Sequence, residues 1–269
     1  MRGRNGMKAD YKNWMPKGMV LATACGAGVA LILYIVFGIA PVLQEGTLKK
    51  VLGVVFLVLT IILVIVTLWM FLMYRAFSYN GKRQMSKQII DGTAAYVKIP
   101  DGGKGLDVGC GSGALTIACA KRNPKAEMVG IDRWGKEYAS FSKQLCENNS
   151  KAEGVSNTSF AQGDATHLDF ADETFDAVTS NYVYHNIVGF NKQDLLLETL
   201  RTLKKGGTFA IHDIMSKARY GDMQAFAKKL KDMGYADVKL IDTTDGKFMS
   251  RFEALWMELS GSTLLVGRK

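Results

Sequence analysis

The sequence predicts an α/β fold, with a seven-stranded and largely parallel sheet preceded by a two-helix transmembrane hairpin. Two runs, residues 18–44 and 51–74, contain no charged residue and are long enough to cross a bilayer. After them, short apolar runs alternate with helical patterns, which is typical of the strands and crossover helices of a parallel sheet. The first of these strands leads through a glycine-rich stretch, residues 109–113, into a helix.

The two apolar runs predict membrane spans at residues 19–40 and 51–74. The second span, at ~1.5 Å per residue, extends ~36 Å and exceeds a hydrocarbon core of ~30 Å. The first span is rich in small residues, and Ala22, Gly26 and Ala30 recur at intervals of four. This spacing fits either a helix-packing face or a lipid-facing helix that tolerates small residues. The apolar stretch is longer than that of a signal peptide, so we expect both helices to be retained.

Positive charge is concentrated around these spans. Residues 1–90 contain eleven Lys or Arg against two acidic residues, whereas residues 91–269 are neutral. The high isoelectric point therefore gives no indication of a nucleic-acid partner. Basic residues cluster in the N-terminal segment 1–18 and in the juxtamembrane segment 75–104, with two lysines in the loop 41–50. The positive-inside rule predicts that both termini and the following domain lie in the cytoplasm, beside the lipid bilayer.

The remaining residues, 105–269, are predicted to form one α/β domain. Strands are expected at Gly105–Val108, Glu127–Ile131, Thr158–Gln162, Phe175–Ser180, Thr208–Asp213, Val238–Thr243 and Thr263–Gly267. Helices are expected at Ala114–Lys121, Lys136–Glu153, Lys192–Leu203, Asp222–Met233 and Phe252–Leu259. The short final connection predicts an antiparallel last strand. A further helix, Met85–Val97, is expected in segment 75–104, either as a partial lid or as a linker on the sheet edge.

The glycine-rich turn predicts a cofactor site. Gly109, Gly111 and Gly113 let the backbone take positive φ and approach a ligand closely, and the following helix start offers unpaired N–H groups. The spacing G-x-G-x-G departs from the G-x-G-x-x-G of dinucleotide sites. With Asp107 before the first glycine and Cys110 as a small residue inside the turn, the run resembles motif I of the class I S-adenosylmethionine (SAM) methyltransferases. The resemblance implies a Rossmann-like sheet and SAM as the cofactor.

Asp132 ends the second strand, where a carboxylate can accept hydrogen bonds from both hydroxyls of a ribose. An acid at this place is also a common cap, but in the resembling family the matching acid binds the SAM ribose. Arg133 or Trp134, which follow it, can stack on the adenine ring.

Gly163, Asp164 and Ala165 follow the third strand and resemble the adenine-edge motif of the same family, in which the aspartate accepts from the adenine amino group. A Gly-Asp pair also occurs in ordinary turns, so it indicates an adenine site only because it follows the glycine turn and Asp132 in the order typical of the family. The run Leu203–Gly207 resembles the family's Leu-Lys-Pro-Gly-Gly turn, with Lys205 in place of proline.

The polar residues after the fourth strand are expected at the C-terminal edge of the sheet, where α/β proteins bind ligands. We assign Asn181 to the cofactor site, and Tyr182, Tyr184 and His185 to catalysis. His185 is the candidate base because imidazole titrates near neutral pH, and His212 is the alternative. Methyl transfer also depends on alignment of the reacting atoms, so many such enzymes need little acid–base help.

The resemblance therefore implies a SAM-dependent methyltransferase. The predicted hairpin lies outside the resemblance, and it predicts a membrane anchor and a small, lipophilic acceptor at the cytoplasmic face. A catalytically silent SAM-binding sensor would keep the glycines and Asp132 without needing an acceptor pocket. A nicotinamide-dependent oxidoreductase shares the layered fold, but the glycine spacing and the lack of a Tyr-x-x-x-Lys pair argue against it. The four cysteines have no metal-ligand spacing, so no metal is expected.

Overall fold

The computed structural model describes residues 8–135 and 140–269. The chain divides into two compact units, of which one combines the segment up to Lys12 with Lys87–Lys269 and the other is Asn13–Ser86. The basic residues at positions 2 and 4, and the first four residues of the helix predicted at Lys136–Glu153, lie outside the described residues.

A seven-stranded sheet forms the centre of the larger unit, in the order β3-β2-β1-β4-β5-β7-β6. The pairs among β1 to β5 are parallel, and β7 runs antiparallel to both of its neighbours. The predicted α/β fold and its antiparallel last strand are therefore confirmed. The strands are β1 (Lys104–Val108), β2 (Glu127–Asp132), β3 (Thr158–Gln162), β4 (Phe175–Asn181), β5 (Leu203–Ile214), β6 (Ala236–Asp242) and β7 (Ser262–Arg268).

Helices connect these strands and cover the sheet. Right-handed crossovers put α4 and α5 on one face and α6 on the other, because the strand order reverses between β1 and β4. Ligands of open α/β sheets bind at such a reversal. The helices of this domain are α4 (Ala114–Arg122), α5 (Lys143–Ala152), α6 (Lys192–Arg201), α7 (Lys217–Tyr220), α8 (Met223–Asp232) and α9 (Arg251–Trp256), with a 3-10 turn at Tyr184–Asn186.

The central strands are apolar along most of their length because they are buried on both faces. Leu106, Val108, Val178 and Phe209 are fully buried in one continuous core cluster. Hydrophobic burial of this kind fixes the strand register, and the register fixes which residues reach the carboxyl ends of β1, β2 and β4.

Polar side chains define where the surrounding helices begin. Ser142, Asn191 and Asp222 each accept a hydrogen bond from a backbone N–H in the first turn of α5, α6 and α8 respectively. Ser250 forms a reciprocal capping box with Glu253 at the start of α9. Helix α5 therefore begins later than predicted, because its cap is Ser142.

The smaller unit is a pair of long apolar helices. Helix α1 (Lys17–Tyr34) continues through a π-helical turn at Ile35–Ile39, and α2 spans Thr47–Phe77. Both are long and apolar enough to cross a membrane by length and composition. They pack against each other with a very close backbone approach, since a Cβ added to Gly38 would lie 2.8 Å from the Cα of Gly53.

This packing corrects two sequence predictions about the hairpin. Ala30 is buried and Gly26 faces Leu63, but Ala22 is exposed, so the predicted stripe of small residues is only partly in the contact. Lys49 and Lys50, predicted in the loop, lie in the first turn of α2, because the helix already begins at Thr47.

One strand also begins earlier than predicted. Residues Leu203–Gly207, predicted as a turn, form the first part of β5. Strand β4 pairs through Phe175 with Leu203 and through Ala177 with Thr208, so the extra residues form an irregular bulge. Gly206 supports the bulge with φ +81°. Helix α3 (Met85–Ala94) ends three residues before the predicted boundary.

Candidate functional site

The glycine turn lies between β1 and α4. Gly109, Gly111 and Gly113 have φ values of +73°, +54° and +80°, which side chains other than glycine rarely adopt. A Cβ on Gly109 would lie 2.3 Å from Val183, which follows β4. At Gly111 the nearest atom to such a Cβ is 3.8 Å away, on Phe141, which is an ordinary van der Waals contact. The turn is therefore packed more tightly at Gly109 than at Gly111.

Asp132 joins the end of β2 to this turn. One carboxylate oxygen accepts a hydrogen bond from the Gly111 N–H at 2.8 Å, and the other accepts from the Trp134 N–H at 2.8 Å. The Trp134 indole N–H in turn donates to the Gly111 carbonyl at 3.1 Å. Each carboxylate oxygen has a second lone pair, so Asp132 can still accept from a ligand hydroxyl.

Asp107 lies beneath the turn and does not line it. The residue is 1% exposed, and its carboxylate accepts from the Thr116 hydroxyl at 2.6 Å and the Thr179 hydroxyl at 3.0 Å. Burial raises its pKa to about 7, although both hydroxyl hydrogen bonds act in the opposite direction. We predicted Asp107 as a cofactor-binding residue, whereas its buried position makes it a brace between β1, α4 and β4.

Cys110 is also a packing residue within the turn. Its thiol lies in a buried cluster with Ile117, Cys146 and Phe160. Burial raises the pKa of the Cys110 thiol, so it stays protonated. Its backbone N–H, together with that of Gly109, donates to the Ile131 carbonyl and holds the turn against β2.

The predicted adenine-edge residues follow β3. Asp164 accepts hydrogen bonds from the backbone N–H and the hydroxyl of Thr166, which lower its pKa. The Gly163 N–H donates to the Asp132 carbonyl at 3.1 Å, so the ends of β2 and β3 are joined. Ala165 packs against the main core, and Arg133 is exposed beside Asp132. The structure thus brings the ends of β1, β2 and β3 to one edge.

A histidine–aspartate pair lies at the same edge of the sheet, beyond β4 and β5. The Nδ1 atom of His185 is 2.5 Å from a carboxylate oxygen of Asp213, and the Asp213 side chain is fully buried while that of His185 is 13% exposed. Backbone N–H groups of Tyr184, His185 and Ile214 also donate to Asp213, at 2.9, 3.2 and 2.7 Å. Burial raises the pKa of Asp213, but these contacts outweigh it and lower the pKa below its usual value.

His212 is enclosed instead. Its two ring nitrogens are each 2.9 Å from an oxygen, one on Asn181 and one on Thr243. Burial lowers the pKa of His212 to about 3, so the ring is neutral. We predicted that Asn181 binds the cofactor. In the structure its side-chain amide oxygen is hydrogen-bonded to the ring of His212. The ring of Phe248 packs against His212, with centroids 5.5 Å apart.

The two predicted tyrosines have different surroundings. The Tyr182 hydroxyl is 2.8 Å from the Ser262 hydroxyl, and the residue has φ +55°, a strained value at the end of a strand. Tyr184 is completely buried and its hydroxyl lies 2.5 Å from that of Thr199. Burial raises the pKa of both phenols. Tyr184 belongs to the core cluster, and its assignment to catalysis stays a prediction.

Sequence reasoning missed two residues of this edge. Asp213 was predicted only as the last residue of a strand, although an acidic residue at that position is a usable signal for a site residue. Gly92 on α3 packs directly on Phe248, since a Cβ there would lie 2.2 Å from the ring. Helix α3 therefore reaches the His212 network, which no sequence pattern indicated.

The residues present fit SAM. The start of α4 has no side-chain cap, so its N–H groups remain suited to the carboxylate of an amino-acid moiety. A Cβ at Gly111 would meet no clash, so the turn is not tightly packed there, and the Asp132 carboxylate has lone pairs left for the hydroxyls of a ribose. A Rossmann-like sheet with this turn and this acid defines a class I SAM-dependent methyltransferase.

Comparison with known proteins identifies the family. A family model described as "Methyltransferase domain" matches residues 99–250, and the chain belongs to this methyltransferase family. It is 31% identical over 147 residues to the demethylmenaquinone methyltransferase of Bacillus velezensis, covering 53% of this chain and 59% of the relative. It is 37% identical over 108 residues to the protein of the same name from Staphylococcus aureus, covering 39% and 41%. The chain thus spans about three-fifths or less of these relatives.

Solved structures share the fold at low identity. The [4+2]-cyclase SpnF superposes with a TM-score of 0.53 at 18% identity, covering 70% of this chain and 82% of that chain. Geranyl diphosphate methyltransferase in complex with GPP and sinefungin gives a TM-score of 0.53 at 12% identity, covering 70% and 79%. Because one of these proteins is named a cyclase, the shared fold does not define the reaction, which depends on the residues of the site.

Proposed function

We propose that this SAM-dependent methyltransferase acts on a small, lipophilic acceptor that carries an acidic hydroxyl, at the cytoplasmic face of a membrane. The observation that carries the proposal is the buried Asp213 carboxylate bound to the partly exposed His185 at the ligand-binding edge of the sheet.

The cofactor would be held by residues of three strand ends. The Gly111 side of the turn would accept its methionine portion, Asp132 its ribose hydroxyls, and Asp164 with Arg133 its adenine. Bound SAM supplies an electrophilic methyl group. The protein has to hold the cofactor in one orientation and prepare a nucleophile beside it.

His185 is suited to prepare that nucleophile. Burial raises the pKa of Asp213, but the contact with His185 and, to a smaller extent, the Ile214 N–H lower it. The ionised carboxylate therefore accepts the Nδ1 proton of His185 and fixes the tautomer. The Nε2 lone pair is then available to take a proton from an acceptor hydroxyl, and Asp213 stabilises the imidazolium that forms. Loss of that proton makes the oxygen, or the ring carbon next to it, more nucleophilic.

Three observations support a lipophilic acceptor. The relatives named above are demethylmenaquinone methyltransferases, and a quinol of that kind has both an acidic hydroxyl and an apolar tail. The loop after His185 exposes Val188 and Phe190. The smaller unit consists of two helices of membrane-spanning length.

Residues 8–12 support a hairpin topology, with both ends of the apolar pair on one side of the membrane. They precede both apolar helices, yet they belong to the same compact unit as the domain that follows them. A segment and a domain that fold together lie on one side of a membrane, so the chain would cross once and return.

The test is methyl transfer by the full-length protein in nanodiscs, with SAM labelled in its methyl group. The acceptors are a prenylated naphthoquinol, the same quinol without the prenyl tail, and phosphoethanolamine. We expect label on the prenylated quinol, less on the tail-free ring, and loss of transfer in His185→Gln. Transfer to phosphoethanolamine alone, with His185→Gln fully active, would exclude this acceptor class.

A further inference from the structure

Residues 8–12, which we call the N-terminal strap, lie against the glycine turn although a hairpin of two apolar helices separates them from it in the sequence. We propose that the strap is part of the SAM site, and that Tyr11 closes the glycine turn and retains the cofactor. This inference rests on SAM as the cofactor and is independent of the acceptor proposed above.

The side chain of Asn149 connects the strap to the glycine turn through hydrogen bonds. This residue of α5 is 2% exposed. Its amide oxygen accepts from the Asp10 N–H at 2.8 Å, and its amide nitrogen donates to the Asp10 carbonyl at 3.0 Å. The same nitrogen donates to the carbonyl of Ser112 at 2.9 Å, inside the glycine turn. One buried side chain therefore connects the strap backbone with the cofactor turn.

The hydrogen bonds of Asn149 stabilise the docked strap, because burying an amide side chain without hydrogen-bond partners costs free energy. Without the strap, Asn149 would lose one acceptor bond and one donor bond at a position that is shielded from solvent. The strap has its own local structure as well. Asp10 accepts from the Lys12 N–H at 3.0 Å and pairs with the Lys12 ammonium at 2.6 Å, around a Lys12 φ of +58°.

Tyr11 packs where the turn meets the helices. Together with Trp134, it lies against the buried cluster that includes Cys110 and Cys146. The Cys146 thiol contacts the Gly111 carbonyl at 3.2 Å, and the Trp134 indole donates to the same carbonyl. Tyr11 and Trp134 thus pack on the same cluster beside the glycine turn, and Trp134 also donates to the Gly111 carbonyl of that turn.

The expected consequence is a coupling between strap docking and cofactor binding. A docked strap restricts the turn and slows cofactor escape, and a bound cofactor in turn stabilises the docked strap, because such coupling is reciprocal. Tyr11 would act on cofactor affinity rather than on the chemical step.

The experiment is calorimetric titration of SAM into the full-length Tyr11→Ala variant in detergent. We expect the dissociation constant to rise roughly fivefold with unchanged stoichiometry, since one aromatic contact is lost. The control is Lys205→Ala, an exposed residue of the domain outside the strap, whose change should leave the affinity at the wild-type value. Wild-type affinity in Tyr11→Ala would overturn the proposal, as would a lower stoichiometry at unchanged affinity, which marks partial unfolding only.

A second measurement uses the unmodified protein and therefore does not depend on the folding of a variant. S-adenosylhomocysteine should slow amide hydrogen exchange in residues 8–12, including the Asp10 N–H that Asn149 accepts, while peptides of α8 remain unchanged. Protection of the glycine turn without any protection of the strap would overturn the proposal.

Discussion

Two buried carboxyl groups of this domain, Asp107 and Asp213, have pKa values shifted in opposite directions. Both are nearly or fully buried, and burial raises the pKa of each. Asp213 receives three backbone N–H groups and His185, whereas Asp107 receives two threonine hydroxyls and faces the negative charge of Asp132. The number and type of hydrogen-bond donors therefore decide the direction of the pKa shift. They keep Asp213 ionised, whereas Asp107 has a raised pKa and connects neighbouring elements of the core.

The Asp213–His185 pair gives the first prediction. Asp213→Asn and His185→Gln should each lower kcat by about 100-fold or more, which is the usual contribution of a positioned base. SAM affinity should not change in either variant, because neither residue lies at the glycine turn. His167→Gln, which alters an exposed histidine, is the control and should retain full activity. Full activity in His185→Gln would mean that acceptor alignment suffices.

Asp107 gives a prediction on pH dependence. Its pKa is 3.8 in the unfolded chain and about 7 in the folded protein, so the folded form holds an extra proton between these values. The contribution of Asp107 to the free energy of unfolding of the cofactor-free protein should therefore fall as pH rises from 4 to 7, by a few kcal/mol. Chemical denaturation measures this contribution as the difference in pH slope between the wild type and Asp107→Asn, and the exposed-site control Asp101→Asn should keep the wild-type slope. An equal slope in Asp107→Asn would contradict the assignment.

At the level of elements, apolar periodicity was a good guide to the sheet and a poor guide to its irregular parts. All strands were predicted within a few residues of their observed ends except the start of β5. At that position Gly206 and Gly207 indicated a turn. In the structure they lie within β5, where they form part of a β-bulge. Local pattern cannot distinguish these outcomes, because the pairing with β4 decides between them.

Two glycines with positive φ, one of them in the glycine turn, allow the stability cost of backbone strain to be separated from the cost of close packing. Gly102 and Gly109 have nearly equal φ values, +75° and +73°, but only Gly109 has a neighbour, Val183, within contact of an added Cβ. Gly102→Ala should cost about 1–2 kcal/mol from strain alone. Gly109→Ala should cost ~1–3 kcal/mol more from overpacking. Thermal unfolding of both variants measures the difference, and equal losses would show that Val183 moves aside freely.

At the scale of the whole molecule, the site residues could be predicted only where a motif carried them. The glycines and Asp132 form a local series along the first two strands, so their positions at the turn could be predicted from the sequence, whereas their roles in binding stay predictions. The contact between Asp10 and Asn149 spans 139 residues and joins two polar residues with no pattern of their own. Such a contact depends on the completed fold, and sequence periodicity contains no information about it.

The hairpin topology can be tested by cysteine accessibility in intact cells. In a Cys25→Ser background, a cysteine at Gln44, in the loop between α1 and α2, should react with an impermeant maleimide from outside. A cysteine at Lys205, an exposed residue of the domain, should react only after the membrane is opened. Outside labelling at Lys205 would reverse the proposed orientation.

The division of the domain around the apolar helices also has a consequence for its biosynthesis. The strap leaves the ribosome before the hairpin, and Asn149 emerges only after the hairpin and a further stretch of the domain. The strap must therefore wait for Asn149 until much of the domain has been made. Because the hairpin is complete before Asn149 emerges, its insertion into the bilayer would precede closure of the strap. A cofactor pocket assembled in this order would mature only at the membrane, so newly made chains that fail to insert would remain weak binders of SAM.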